Sequence, residues 1–185
     1  MSTEFLKSSF VRRLDDDEIV PVFDCGDADL NEFITCEAQA YKKSKLAVTY
    51  VMSNLANPID VIAFCSLAND RVSLSDFDSK TEFNRFRKHS GFPQHKRLKS
   101  YPAVKICRLG VDVSKKGRSA GTKLLDFIKT YFTVDNKTGC RFLTVDAYLD
   151  AIPFYEKNGF SLLTAEDEQS AYTRLMYFDL DSLVE

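Results

Sequence analysis

The most informative part of the sequence is Leu109-Gly-Val111-Asp-Val-Ser-Lys-Lys116-Gly117-Arg118-Ser119-Ala120-Gly121-Thr122. Apolar and β-branched residues before it predict a strand, and Leu124, Leu125 and Ile128 follow it at helical spacing. The first turn of a helix leaves backbone N–H groups unpaired and carries partial positive charge, so it suits a phosphate. The loop matches neither of the two common glycine-rich nucleotide motifs. Taken alone, it is equally well explained as a phosphate site or as an ordinary strand–helix turn on a solvated face.

The patterns on either side of this loop predict a mixed sheet flanked by helices. A helix is expected from Asp27 to Lys43. Gly110 inside the central strand indicates either a bulge or a close approach of another group to the backbone. The polar segment 70–100 is expected to contain a short helix near Phe83 and Phe86. Strands are expected at 47–52 and 61–65, paired as a hairpin, and at 103–113, 141–145, 160–163 and 173–178, with a further short helix at 151–157. This order is typical of a mixed α/β fold.

The composition is that of one ordinary globular domain, which we take as residues 1–185. Hydrophobic residues make up 44% of the 185 positions and the formal net charge is −2, which excludes a uniformly basic polyanion-binding protein. The five cysteines are widely spaced and predict reduced core thiols rather than disulfides or a zinc site. Neither a secretory signal nor an apolar run of membrane-spanning length is evident, which favours a cytoplasmic protein.

A basic segment at 85–99 contains six Lys and Arg residues, no acid, and interleaved aromatic rings. Within it, Lys96 and Arg97 are candidates for contacts with acceptor phosphates, while Phe86 and Phe92 suit base stacking. A solvated basic loop explains the same pattern. The two histidines of the chain lack the companions that a nucleophilic or metal site needs, so no metal is expected.

The loop and a second pattern resemble the two signatures of the GNAT acetyltransferase superfamily; the second is Ala151-Ile-Pro-Phe154-Tyr155-Glu156-Lys157-Asn158-Gly159-Phe160. The resemblance implies a GNAT-like α/β fold: a mixed, mostly antiparallel sheet that is splayed in the middle and flanked by helices. It also implies that acetyl-CoA is the co-substrate and lies between the fourth and fifth strands. On this basis the backbone of Leu109 and Val111 pairs with pantetheine, and the pyrophosphate is held by Lys116, Gly117, Arg118, Ser119, Ala120, Gly121 and Thr122.

Three positions depart from the family pattern. Lys116 stands where the family has Arg or Gln, Ser119 where it prefers its first glycine, and Tyr148 where it usually has Asn. Lys116 and Ser119 keep a backbone donor, whereas Tyr148 removes one side-chain contact to CoA. These changes bear on cofactor affinity and leave the resemblance intact.

The resemblance implies a catalytic role for Tyr155, whose hydroxyl protonates the CoA thiolate as it leaves. The alternative is a ring buried for packing, a role for which Phe154 is expected to be better placed. Asp146 lies near the end of a central strand and is a candidate for orienting the incoming ammonium group, although a solvated or capping carboxylate explains it as well. Asp112 is expected to be structural. No general base is evident, and a chain of water molecules can serve instead.

A third pattern resembles the opening of a GNAT subgroup that includes toxins of toxin–antitoxin pairs; it reads Phe23-Asp-Cys25-Gly26-Asp-Ala-Asp-Leu30-Asn31-Glu-Phe33. Those toxins acetylate the amino acid on charged tRNA, so the resemblance implies an N-acetyltransferase acting on a primary amine, that of an aminoacyl-tRNA. An antitoxin protein and a second copy of the chain, in a homodimer, are candidate partners, and no membrane is expected. The alternatives are acetylation of a small-molecule or protein amine, and a CoA-binding regulatory module without turnover.

Overall fold

The computed structural model describes residues 8–92, 98–134, 138–164 and 171–184. Its strands are β1 (Ser9–Arg13), β2 (Val48–Asn54), β3 (Val61–Ser73), β4 (Ser100–Val111), β5 (Phe142–Tyr148), β6 (Ser161–Leu162) and β7 (Thr173–Asp179). Its helices are α1, built from the consecutive segments Ala28–Glu32, Phe33–Glu37 and Ala38–Lys43, then α2 (Lys80–His89), α3 (Ala120–Thr133) and α4 (Ile152–Lys157). The middle segment of α1 is a π-helical turn.

The strands form one mixed sheet in the order β1-β2-β3-β4-β5-β7-β6. The pairs β1–β2, β2–β3, β5–β7 and β6–β7 are antiparallel, while β4–β5 is parallel. The parallel register joins residues 103–105 to residues 142–144, and β4 continues beyond it to Val111. The predicted α/β class and the mixed, mostly antiparallel sheet with flanking helices are therefore confirmed.

Two compact units divide the chain, one comprising Met1–Ala68 and Ile106–Thr130, the other Asn69–Lys105 and Tyr131–Glu185. Strands β3 and β4 each contribute residues to both units. The organisation of residues 1–185 as a single domain stays a prediction.

In the first unit, helices α1 and α3 pack on opposite faces of the strands. The ring of Tyr50 in β2 meets Phe127 of α3 with centroids 5.7 Å apart, whereas the next residue, Val51, is buried in a cluster with Phe33 and Ile34 of α1. Successive side chains of a strand point to opposite faces, so α1 covers one face and α3 the other.

The cluster beneath α1 explains the glycine in β4. A Cβ added at Gly110 would lie 2.7 Å from Cε1 of Phe64, a ring that is fully buried. Phe64 in turn stacks on Phe33 and meets the edge of Phe23. The predicted close approach to the β4 backbone is confirmed, and the approaching group is an aromatic ring of the core.

The core of the second unit is largely aromatic. Helix α2 begins with the Ser79 side chain accepting a hydrogen bond from the Glu82 N–H, and Phe83 is buried on its inner face. The cluster around it contains Val72, Phe83, Tyr101, Ala103, Phe142 and Leu163, with Phe77, Phe86, Phe92 and Tyr177 packed against it. The short helix predicted near Phe83 is confirmed, and its rings are used for packing.

The structure corrects the prediction for the cysteines. None of the five forms a disulfide with a described residue, but Cys36 and Cys107 are exposed and Cys140 is half-buried, so of the five only Cys25 and Cys65 are core thiols. In β4 the alternation of a strand turns Cys107 outward beside the buried Ile106. Strand β1, which was not predicted, is a five-residue edge strand paired only with β2 among the described residues. No helix in the described part of the chain is long and apolar enough to cross a bilayer.

Candidate active site

The loop between β4 and α3 is shaped by its own residues. Asp112 accepts a hydrogen bond from the Ser114 N–H at 2.9 Å and opens the 3₁₀ turn Val113–Lys115, which confirms its structural role. Gly117 then has a φ of +76° and Ser119 a φ of +58°. The left-handed region costs a non-glycine residue roughly 1–2 kcal/mol, which accounts physically for the glycine that the family pattern prefers at the position of Ser119.

The first turn of α3 presents a row of unused hydrogen-bond donors. The first N–H to bond back along the helix is that of Lys123, which donates to the Ser119 carbonyl at 3.0 Å. Within the described residues, no acceptor is found for the N–H groups of Gly117, Ser119, Ala120, Gly121 and Thr122. Donors converging at the start of this 14-residue helix form the geometry that binds a phosphate.

Lys116 is turned towards the segment that precedes α1. Its Nζ donates to the Cys25 carbonyl at 3.0 Å, and the Val113 N–H donates to the Asp24 carbonyl at 2.8 Å. The Asp24 carboxylate accepts hydrogen bonds from the Gly26 N–H and from the Asn31 side chain. These two bonds lower the pKa of Asp24, and the nearby charge of Lys116 lowers it further. The loop and the pattern at 23–33 are therefore hydrogen-bonded to each other. A phosphate-binding role for Lys116 stays a prediction.

The other predicted cofactor residues lie on the same unit. Leu109 and Val111 are half-buried in the part of β4 that extends beyond its register with β5. Arg118 is exposed in the loop. The pairing of the Leu109 and Val111 backbone with pantetheine stays a prediction, as does the contribution of Arg118 to pyrophosphate binding.

Tyr155 is the buried aromatic residue of α4. It is 6% exposed, and its ring meets Phe154 and Phe160 edge to face at 5.2 Å and 5.4 Å. Phe154 is only half-buried, so the expectation that Phe154 is the better placed for packing is wrong. The turn of the short helix brings Tyr155 inward instead. Its ring therefore has a packing role, and the catalytic role of its hydroxyl stays a prediction.

Asp146 forms an ion pair with Lys105 across the parallel strands. Lys105 is aligned with Thr144, two positions before Asp146 on β5, so the pair is a diagonal cross-strand contact. The buried Thr144 hydroxyl donates to the Asp70 carboxylate at 2.5 Å. An incoming ammonium group would have to share Asp146 with Lys105, and the substrate-orienting role of Asp146 stays a prediction.

The aromatic residues of the basic segment belong to the core. Phe92 stacks on Tyr101 with centroids 3.8 Å apart, and Phe86 contacts Phe142 and Tyr177 at 5.4 Å and 5.3 Å. The predicted use of Phe86 and Phe92 for base stacking is therefore wrong, because these rings pack against other rings of the core.

The charges of the same segment divide between core and surface. The Nε of Arg87 donates to the Tyr101 hydroxyl at 2.9 Å, which ties this residue to the core. Arg85, Lys88 and Lys99 are exposed. Lys96 and Arg97, the predicted acceptor-binding residues, lie outside the described residues.

Two charged residues in strands were not predicted. Asp70 in β3 accepts the Thr144 hydrogen bond, and Arg108 in β4 lies over the rings of Phe33 and Tyr41. A charged side chain in a strand rich in buried residues is the signal that could have indicated both. Among residues 8–92, 98–134, 138–164 and 171–184, no group of three or more His, Cys, Asp or Glu side chains is suited to a metal ion.

Comparison with known proteins finds one family match and a set of similar folds. Residues 91–175 match the family described as acetyltransferase (GNAT) domain. No curated protein matches the chain in sequence. Among solved structures, AtaT complexed with acetyl-methionyl-tRNAfMet has a TM-score of 0.72 at 22% identity, over 95% of this chain and 96% of its own. A tyrosine-to-phenylalanine mutant of KacT has a TM-score of 0.75 at 19% identity, and the match covers 95% of this chain and 97% of the KacT chain.

A third similar structure, AtaTR bound with AcCoA, has a TM-score of 0.73 at 22% identity and covers 96% of each chain. At these identities the three structures show the likeness of the fold. The match to the acetyltransferase (GNAT) domain covers residues 91–175, which include both sequence signatures, and it agrees with their resemblance to the GNAT superfamily.

Proposed function

We propose that the chain transfers an acetyl group from acetyl-CoA to the α-amine of an aminoacyl-tRNA. The observation that supports acetyl-CoA as donor is the row of N–H groups at the start of α3 for which the described residues offer no acceptor, because such a row suits the pyrophosphate of CoA. The similar structure of AtaTR with bound AcCoA supports the same donor. The AtaT structure with acetyl-methionyl-tRNAfMet supports the acceptor.

The reaction is a direct transfer without a covalent enzyme intermediate. The neutral amine attacks the thioester carbonyl carbon, the new C–N bond forms, and the C–S bond breaks with its electron pair moving to sulfur. The amine loses one proton to water, and the CoA sulfur gains one. In this proposal Tyr155 supplies the proton to sulfur and regains one from solvent.

The binding roles follow the same proposal. The N–H groups at 117–122 hold the pyrophosphate, together with Lys116 and Arg118, and the backbone of Leu109 and Val111 pairs with pantetheine. Exposed cations of the segment 85–99 contact acceptor phosphates, and Asp146 orients the ammonium group before it loses its proton. The loop belongs to the first unit and Tyr155 to the second.

A ligand-induced rise in melting temperature tests the donor half. Acetyl-CoA that binds only the folded protein should raise the melting temperature with the logarithm of its concentration over Kd. Gly121→Asp should abolish most of this rise by placing a side chain and negative charge beside the phosphate, whereas Gly121→Ala adds bulk without charge. An unchanged melting temperature of the wild-type protein at millimolar acetyl-CoA would contradict the proposal.

Release of CoA distinguishes the alternatives. Methionyl-tRNA is the first acceptor to test, beside polyamines and protein amines. Turnover with a polyamine or a protein amine but not with methionyl-tRNA would assign a small-molecule or protein acceptor. Binding of acetyl-CoA without turnover on any amine would assign a regulatory module.

An antitoxin and a homodimer remain proposals about partners. A mutant AtaT toxin has been solved with the C-terminus of the antitoxin AtaR, which supports an analogous protein partner for this chain. Light scattering of the purified protein measures whether it is a dimer, and a monomeric mass at all concentrations would exclude the homodimer.

A further inference from the structure

Arg108 of β4 is held by two aromatic rings of α1. Its Cζ lies 4.1 Å from the centroid of the Phe33 ring and 5.0 Å from that of Tyr41. The two rings meet each other edge to face at 5.3 Å, and Phe33 is fully buried. All three residues belong to the first unit. The guanidinium is therefore fixed in orientation by its neighbours.

The donors of this guanidinium are unused within the described residues. An arginine side chain has five N–H donors, and that of Arg108 forms neither a hydrogen bond nor an ion pair with any described residue. The side chain is half-buried, so part of its hydration is lost. A partly buried charge without a paired acid is uncommon, because removing a charge from water is costly unless another group compensates it. The stacked rings compensate the lost hydration of the guanidinium face, whereas the N–H donors along its edge have no partner among the described residues.

The π-helical turn of α1 aligns the two rings. The Ala38 N–H bonds back five residues to the Phe33 carbonyl, which is the wider π spacing. In a regular α-helix, positions eight apart such as 33 and 41 differ by roughly 80° around the axis. The wider turn brings Phe33 and Tyr41 onto one face, where both reach Arg108. Such turns occur frequently at functional sites.

The position of Arg108 favours the acceptor over CoA as the ligand. Its guanidinium contacts α1, which lies on the face of the strands opposite to α3. The phosphate-binding donors lie at the start of α3. Arg108 is also adjacent in sequence to Leu109, whose backbone is proposed to line the pantetheine arm. A group that binds Arg108 therefore approaches from the α1 side, next to the strand segment assigned to the thioester arm.

We propose that Arg108, stacked on Phe33 and Tyr41, is the residue that binds an oxyanion of the acceptor. The planar guanidinium edge matches two oxygens of a phosphate or a carboxylate. A phosphate is carried by the tRNA end of an aminoacyl-tRNA, and a carboxylate by a free amino acid. The inference rests on the proposed function for the identity of the reacting amine, and its binding test does not depend on turnover.

The experiment compares Arg108→Gln and Arg108→Lys with Arg71→Gln as the matched control. Arg71 is an exposed arginine of β3 without a stacked ring among the described residues. Three acceptors present the same amine: methionyl-tRNA carries phosphates, methionine a carboxylate, and methioninamide neither. The measurements are kcat/KM for each acceptor, the Kd of acetyl-CoA, and equilibrium binding of uncharged tRNA and of methionine.

Arg108→Gln should lower kcat/KM about 10- to 100-fold for the acceptor whose oxyanion Arg108 binds. The kcat/KM for methioninamide and the Kd of acetyl-CoA should stay unchanged. A loss confined to methionyl-tRNA identifies a phosphate, and one confined to methionine a carboxylate. If the oxyanion is a phosphate, Arg108→Gln should reduce by about one the slope of log K for tRNA binding against the logarithm of the salt concentration. Arg108→Lys should keep this slope and still bind tRNA more weakly.

The proposal would be overturned if Arg108→Gln lowered kcat/KM equally for methioninamide, weakened the binding of acetyl-CoA, or left kcat/KM unchanged for all three acceptors. If Arg108→Gln does not fold, the Lys variant carries the comparison. Wild-type protein could bind tRNA or methionine without acetylating any amine. If Arg108→Gln then weakens that binding, the oxyanion-binding role of Arg108 is supported and the proposed function is refuted. Absence of both binding and acetylation overturns both.

Discussion

At the scale of single residues, removing the hydroxyl of Tyr155 distinguishes a catalytic role of this residue from a role in packing alone. The ring is buried between Phe154 and Phe160, and Tyr155→Phe keeps these contacts. A positioned proton donor contributes typically ~10²–10⁴-fold, so kcat should fall by about 10²-fold or more while the KM for acetyl-CoA changes little.

The measurement is steady-state kinetics beside thermal unfolding. Tyr177→Phe, which removes a hydroxyl from a half-buried ring of the second unit, is the matched control and should leave kcat unchanged. A Tyr155→Phe enzyme with nearly full kcat would assign the residue to packing and the leaving-group proton to water.

Gly110 makes a second prediction at this scale. Its absent side chain leaves room for the Phe64 ring, and an added Cβ would lie 2.7 Å from that ring. Because Phe64 is itself packed against Phe23 and Phe33, it has little freedom to move. Gly110→Ala should therefore lower the free energy of unfolding by about 1–3 kcal/mol.

Urea unfolding measures this difference. Gly139→Ala is the control, because no atom lies within 4 Å of a Cβ built at Gly139. There the substitution should be neutral or stabilising by about 0.4–1 kcal/mol, through a smaller entropy of the unfolded chain. Equal effects at the two glycines would show that the Phe64 contact is not limiting.

At the scale of elements, the loop before α3 is attached to the segment before α1. Lys116 donates to the Cys25 carbonyl at 3.0 Å, and the Val113 N–H donates to the Asp24 carbonyl at 2.8 Å. Two sequence patterns that lie 91 positions apart at Cys25 and Lys116 are thus parts of one local structure. The opening pattern at 23–33 supports the loop, whatever else it does.

Lys116→Met tests this attachment. Loss of the hydrogen bond should lower the free energy of unfolding of the unliganded protein by about 1 kcal/mol. If the ammonium group also reaches the pyrophosphate, the Kd of acetyl-CoA should rise as well. Lys115→Met is the matched control, since Lys115 forms only a 3.6 Å ion pair with Asp60 and should change either quantity little. Unchanged stability of Lys116→Met would contradict the supporting role of this contact.

At the scale of the whole molecule, the charge distribution bears on the acceptor. The chain has a net charge of −2, so attraction to tRNA has to come from a local surface such as the exposed cations Arg85, Lys88 and Lys99. The double variant Arg85→Glu with Lys88→Glu should raise the KM for methionyl-tRNA and leave the Kd of acetyl-CoA unchanged. If each residue contacts one phosphate, the salt slope should fall by about two.

Kinetics across a salt series provide the measurement. Arg13→Glu with Lys45→Glu changes the net charge by the same amount at exposed positions of the first unit and should have a much smaller effect. Salt-independent kinetics with methionyl-tRNA would remove the basic surface from the acceptor site and favour a small-molecule amine.

Whole-molecule architecture was largely predictable because its signals are local. The 3.6-residue periodicity after Asp27, the runs of β-branched and aromatic residues at 47–52 and 61–65, and the glycine-containing turn before α3 each depend on neighbours within a few positions. Their order then determined the α/β class, and the two signatures resembling the GNAT superfamily lie within the part of the chain, residues 91–175, that matches the GNAT domain. The donors at the start of α3 follow from helix geometry alone, which is why the sequence could predict a loop suited to a phosphate.

The partners of individual side chains were decided only by the tertiary structure. Nothing local indicates that Phe92 stacks on Tyr101, that Tyr155 is more buried than Phe154, or that Arg108 lies over Phe33 and Tyr41. A charged or aromatic residue has the same periodic position whether it faces water or a ring from a distant segment. Sequence pattern thus determined the elements and their chemistry, whereas long-range packing decided which of these side chains serve the core and which, like Arg108, keep donors that no described residue uses.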